Sequence, residues 1–204
     1  MIYMNRKDNS KTAQKKRLKE QKLYSSAYEL FTTKGAKNTS IDDIVKKAGV
    51  AKGTFYLYFK DKYDILDKLI LQKSSKLCNE ALNHAKDSGI EDFEEVSTFF
   101  INYILDYLKE NKFLLRLINK NLSWVLFKKA ITNPDEYKGI EQISQFFVTN
   151  LVKLGMDEEE ATLSIFFIFE LIGGVAYSSI IYGEPAEIDE LKPMIHKKIK
   201  KMIF

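Results

Sequence analysis

The stretch from Ser40 to Lys62, SIDDIVKKAGVAKGTFYLYFKDK, admits few folds, because it carries two short helical patterns separated by a glycine turn. Ile41, Ile44, Val45 and Ala48 recur at helical spacing and fall on one face, while Asp42, Asp43, Lys46 and Lys47 fall on the other. Ser40 stands where an N-cap belongs, with Asp43 three residues on as a weaker form of the capping-box acid. Gly49 can take the left-handed conformation that ends a helix and turns the chain, after which Val50 re-enters the core. The next helix is expected from about Lys52 to Phe59, anchored by Phe55 and Phe59 one turn apart. With those two rings buried, Lys52, Thr54, Tyr56 and Tyr58 project from the rest of the helix. Two phenolic hydroxyls on rigid arms can donate to phosphate oxygens or pack on thymine methyls, and Gly53 lets the backbone approach a phosphate at about 1 kcal/mol of helix propensity. The pattern implies a helix pair that reads DNA.

The order and spacing extend beyond this stretch. From Leu23 to Leu69 the chain carries an A-x-x-L-F-x-x-x-G run (Ala27, Leu30, Phe31, Gly35), a T-S-I-x-x-I helix start (Thr39 to Ile44), the A-G-V turn, and G-T-F-Y-x-Y-F from Gly53 to Phe59, leading to Lys62. In these residues it resembles the N-terminal domain of the TetR family of bacterial transcriptional regulators. Ala51 departs from the family pattern, which often has a capping Ser or Thr there. The candidate DNA contacts are Ser40, Lys52, Gly53, Thr54, Tyr56, Leu57, Tyr58 and Lys62.

Charge is distributed accordingly. Residues 1–60 hold 14 Lys+Arg against 5 Asp+Glu, a net +9, whereas residues 61–204 hold 18 against 23, a net −5. A polyanion partner for the N-terminal part follows, although a basic surface alone also fits a membrane or simple solubility. Cys78 is the only cysteine, which excludes an intramolecular disulfide framework and a thiolate metal cluster. The two histidines, His84 and His196, have no metal-ligand spacing, and no nucleophile–base pair or phosphate loop supports catalysis. Neither a metal nor a cofactor is expected. Arg6 and Lys7 are not followed by an apolar run of signal-peptide kind, and a reducing cytoplasm is the expected home.

Few prolines and no β-type alternation favour an all-α chain of two domains: an N-terminal three-helix helix-turn-helix DNA-binding domain in residues 1–60, then a larger helical ligand-binding and dimerisation domain in residues 61–204. Met1 to Ser10 reads as a polar arm. A first helix is expected from Lys11 to Gly35, with Leu18, Leu23, Ala27, Leu30 and Phe31 inward and the basic run Lys15, Lys16, Arg17 and Lys19 free to meet phosphate. Asp61 can cap a long helix from about Lys62 to Asp87, with Tyr63, Leu66, Leu69, Ile70, Leu77 and Ala81 inward, long enough to act as a lever between the domains. Further helices are expected over Glu91–Lys109, Asn111–Phe127, and from the Asn133–Pro134 break to Leu154.

The last two helices differ from the others. Asp157 to Tyr182 is nearly all apolar from Leu163 onward, with Glu170 its only charge there. About 20 apolar residues could span a bilayer, but Glu170 near the middle and the acidic flank Asp157 to Glu160 favour a helix serving both core and interface. Gly173, Gly174, Ala176, Ser178 and Ser179 would allow close approach of another helix, and Leu191 to Phe204 places Leu191, Met194, Ile195, Ile199, Met202 and Ile203 on one stripe. The resemblance implies a homodimer in which these two helices pair with their copies, with Gly174, Ser178, Ile195, Ile199 and Met202 as candidate contacts.

It also implies a regulator, usually a repressor, whose C-terminal domain binds a small effector that lowers affinity for a double-stranded operator. Aromatic density suggests a pocket lined from Phe99, Tyr103, Tyr107, Trp124, Phe127, Phe147 and Phe166, with Glu170 and Tyr177 as polar groups. A DNA-binding adaptor whose larger domain binds a protein is the alternative; a cavity separates the two.

Overall fold

The computed structural model describes residues 5–121 and 140–203. Every element among them is helical: α1 (Asn5–Thr33), α2 (Ile41–Ala48), α3 (Lys52–Phe55), α4 (Lys62–Asp87), α5 (Phe93–Glu110), α6 (Lys112–Asn121), α7 (Ile140–Lys153), α8 (Glu158–Tyr177) closed by a π turn (Ser178–Tyr182), and α9 (Ile188–Ile203). The chain divides into two units between Leu69 and Ile70, within α4 rather than ahead of it.

In the first unit, α1 starts at Asn5, so part of the expected arm is helix. Leu23, Ala27, Leu30 and Phe31 are buried as their spacing requires, but Leu18 is exposed. Residues 11–19 are exposed on every side, and an apolar residue there has nothing to pack on. Ser40 caps α2 through a full capping box. The Asp43 amide donates to Ser40 Oγ at 3.1 Å, and the Ser40 amide donates to Asp43 Oδ2 at 3.0 Å. Those donors from Ser40 hold the Asp43 carboxyl below its ordinary value. Gly49 ends α2 at φ 66°, a backbone position that a side chain would strain. The core of this unit gathers Phe55 and Phe59 against Leu23, Ile44, Ile65 and Leu66, with Tyr24 edge-on to Phe59 at 5.0 Å. Asp61 caps α4, its Oδ1 accepting from the amides of Tyr63 and Asp64. Tyr63 itself points outward and is exposed, contrary to its place on the expected inner stripe.

In the second unit, Asp92 caps α5 and Asp157 caps α8, each accepting the amide three residues on. Leu77, Ala81, Leu105, Leu108, Leu115, Leu151, Ile195 and Ile199 are buried in its interior. Ion pairs tie α9 to α5: Lys109 reaches Asp189, Lys192 reaches Asp106 and Lys200 reaches Glu94, while Lys192 also pairs with Asp189 within α9.

Two groups here make the unit acid-sensitive. Burial, helped by the Lys192 ammonium, pushes the His196 imidazole below its ordinary value, and its Nε2 lies 2.8 Å from Asn102 Oδ1. Hydrogen bonds from Lys109 and then Lys192 hold the Asp189 carboxyl at about 2. Both groups bind a proton more readily in the unfolded chain, so stability falls as pH falls. The His196 share is complete above its unfolded value, about 6.5, and is lost as pH drops through the lower folded value. The Asp189 share is lost only between about 4 and 2. We expect His196→Gln to remove the upper part of the acid destabilisation and leave the lower part, as read by denaturant titration at a series of pH values from 7 to 3.

Candidate DNA interface and ligand cavity

The reading helix is shorter than its sequence pattern implies. α3 runs only from Lys52 to Phe55, and the chain continues as a tight turn in which Leu57 donates its amide to Thr54 O while Tyr58 and Phe59 donate theirs to Phe55 O. Ala51 caps α3 with no side-chain bond, as an alanine must. Without a cap or favourable propensity at Gly53, the burial of Phe55 (0% exposed) and Phe59 (2%) holds this segment in place.

Those anchors turn the candidate residues in different directions. Lys52, Gly53, Tyr56 and Leu57 are exposed and Thr54 is half-buried. Lys52 Nζ lies 2.9 Å from Asp42 Oδ1, and that carboxylate holds the ammonium above its ordinary value. The Ser40 hydroxyl is engaged in its cap. Two candidates are engaged within the chain. Tyr58 is half-buried, and its hydroxyl donates to the Lys16 carbonyl of α1 at 3.0 Å, so it braces α3 against α1. The Lys62 ammonium donates to the carbonyls of Ala36, Lys37 and Thr39 at 3.0, 3.2 and 3.0 Å, which accounts for its three hydrogens. Their partners lie 23 to 42 residues away, beyond any local pattern.

The second unit contains a cavity of about 280 Å³ whose wall, among the described residues, is drawn from α4 to α9. Phe93, Phe100, Ile104, Phe147, Ile168 and Phe169 make it apolar, and Ser74, Cys78, Ser97, Asn119, Ser144 and Glu170 interrupt it. The Ser74 and Ser97 hydroxyl oxygens are buried with no hydrogen-bond partner among the described residues. Burial pushes the Cys78 thiol up to about 12, which leaves it a neutral wall group and not a nucleophile.

Of the expected lining, Phe147 and Glu170 belong to this wall. Phe99, Tyr103, Tyr107, Phe166 and Tyr177 do not, and Trp124 and Phe127 lie outside the described residues. The reason is helical phase. On α5 the cavity takes Phe93, Ser97, Phe100, Ile101, Ile104 and Leu108, so Phe99, Tyr103 and Tyr107 fall on the adjacent face, where Tyr103 stacks on His84 at 5.2 Å and on Phe99 at 6.3 Å. On α8 the wall uses Ile165, Ile168, Phe169 and Ile172, leaving Phe166 beside Phe167, while Tyr177 packs edge-on to Tyr182. The dimerisation candidates separate in the same way. Ile195 and Ile199 are buried within their own chain, whereas Gly174 and Met202 are exposed and Ser178 is half-buried. The pattern missed a row that spacing could have revealed, Leu163 and Phe167, one turn apart and both exposed on α8; Glu170 and Gly174, also exposed, border the cavity. The span Glu158–Tyr182 is long and apolar enough to cross a membrane.

Residues 23–69 match the sequence profile of the bacterial regulatory proteins of the tetR family. The chain is 38% identical over 143 residues to YvdT of Bacillus subtilis, an uncharacterized HTH-type transcriptional regulator, covering 60% of this chain and 72% of YvdT. It belongs to the TetR family. An HTH-type transcriptional regulator of Staphylococcus aureus, SAB2452, is 32% identical over 98 residues, a match that spans about half of each chain (48% here, 52% there). The fold is that of FadR from Bacillus subtilis, solved in complex with stearoyl-CoA, with a TM-score of 0.62 at 22% identity over 91% of this chain and 100% of that one. As a TetR-family member the chain is a DNA-binding transcription regulator and not an enzyme. Its first unit is the helix-turn-helix domain and its second the larger helical domain of that fold.

Proposed function

We propose that the chain is a homodimeric cytoplasmic repressor, released from its operator by an amphipathic small molecule held in the second unit. The observation that carries this reading is the apolar cavity with two buried hydroxyls in its wall that have no partner among the described residues. Apolar walls favour an alkyl or aryl body, and buried hydroxyls without partners favour a ligand that brings a hydrogen-bonding group. FadR, of the same fold, is described with stearoyl-CoA, so fatty acids and acyl-CoA thioesters are the first probes. A protein-binding adaptor would have no use for such a cavity. The exposed row on α8 supports a second copy as partner: one side of that helix lines the cavity while the other presents Leu163 and Phe167. That double duty accounts for its apolar length without a membrane.

Ser74, Leu77 and Cys78 of α4 are part of the cavity wall, and the first turns of the same helix belong to the DNA-reading unit. A ligand can therefore act by preferring one setting of α4. Weakening operator binding a hundredfold requires a preference of about 2.7 kcal/mol, which burial of one further ring in one setting could supply. By reciprocity the operator must weaken ligand binding by the same factor. Operator affinity with and without a fatty acyl series of graded length, alongside ligand affinity with and without operator, tests the reading. Equal ligand affinity in both states rejects it.

A further inference from the structure

Leu57 is 75% exposed, more than any other large apolar side chain among the described residues. Its direction is fixed: it lies two residues from each of the buried anchors Phe55 and Phe59, and the Phe55 and Thr54 carbonyls hold the turn around it. An unanchored leucine could fold back onto the domain, but this one is held outward. Its neighbours are the exposed Lys52, Tyr56 and Lys60, on a unit with a large positive excess. An apolar finger held outward, with exposed lysines and a phenol near it in sequence, fits the major groove of duplex DNA, where the one apolar projection on the base edges is the thymine 5-methyl group.

Resting on the DNA-binding reading above, we infer that Leu57 is a specificity-determining residue that packs on a thymine 5-methyl in each operator half-site. The cations around it position the chain on phosphates and carry no sequence information, whereas the methyl contact does.

The test uses an operator enriched from a genomic library by the full-length protein. Thymidines in one half-site are replaced singly by 2′-deoxyuridine, which removes the methyl and leaves every hydrogen-bonding group in place. One replacement, or two adjacent ones, should weaken binding about fourfold, and the symmetric double replacement roughly fifteenfold, as expected for one buried methyl per half-site. Leu57→Ala should bind more weakly and be indifferent to the same replacement, with the salt dependence of binding unchanged. Its fold is checked by far-ultraviolet circular dichroism and its melting curve, neither of which should move appreciably, since three-quarters of the residue is exposed. If every deoxyuridine operator binds the wild type equally, or if Leu57→Ala keeps the wild-type loss at the same position, the assignment is overturned. If no duplex is enriched, the DNA-binding reading itself fails.

Discussion

Lys62→Met should lower the stability of the DNA-reading unit by about 2–4 kcal/mol before it changes anything else. The ammonium spends its hydrogens on three carbonyls of the loop between α1 and α2, and a charged donor contributes more per bond than a neutral one. Methionine keeps the length and apolar stem of the side chain, so the loss isolates the charge. The site is half-buried, so water can reach part of the vacated loop, which keeps the expected cost below the sum of three full charged bonds. For a unit of this size the midpoint should fall by roughly 10–20 °C. Operator binding should fail with it and recover in part on cooling. Had Lys62 served phosphate alone, melting would be unchanged and only the salt slope of binding would drop by about one. Thermal unfolding of Lys62→Met beside its salt titration on operator DNA distinguishes these outcomes.

That prediction turns on a contact that no local pattern contains, and this marks where sequence reasoning stopped. Helix boundaries were legible wherever one residue type has one physical use: Ser40 and Gly49 bracket α2, Asp61 starts α4, and Gly89 at φ 72° follows its end. The DNA-reading unit was legible as a whole because its apolar spacing, turn and aromatic anchors agree with one another. Facing was less legible. α5 carries apolar or aromatic residues around much of its circumference, so composition could not say whether Phe100 or Phe99 meets the cavity; packing against α4 and α7 decides that. Ile195 and Ile199 pose the same ambiguity, since an apolar stripe does not declare whether its partner is in its own chain or another. Tyr58 and Lys62 have groups that can serve phosphate or carbonyl equally well, and their carbonyl partners across the fold are visible only in three dimensions.

Charge placed on α8 and α9 should separate those two kinds of apolar surface. Ile199 is 4% exposed within its own chain, so Ile199→Asp places an unpaired carboxylate in the interior of the second unit and should unfold it, at a cost of several kcal/mol. Phe167 is 55% exposed, and Phe167→Asp should leave the chain folded. If the exposed row of α8 meets a second copy, each dimer then buries two such charges. Even 3 kcal/mol in total corresponds to more than a hundredfold in the dimer dissociation constant, enough to yield folded monomers at micromolar concentration. Gly174 provides the complementary test. An added Cβ there meets nothing within 4 Å among the described residues, and its backbone φ is not positive, so in a monomer Gly174→Ala would gain about 1 kcal/mol of helix propensity. Where a second helix packs close against this glycine, the same methyl group must push the copies apart, and dimer affinity falls while the chain itself becomes harder to unfold. Sedimentation of Phe167→Asp and Gly174→Ala at a series of concentrations, with denaturant titration of each, reads both quantities. A dimer of undiminished affinity in both variants would place the interface on some other face of the chain.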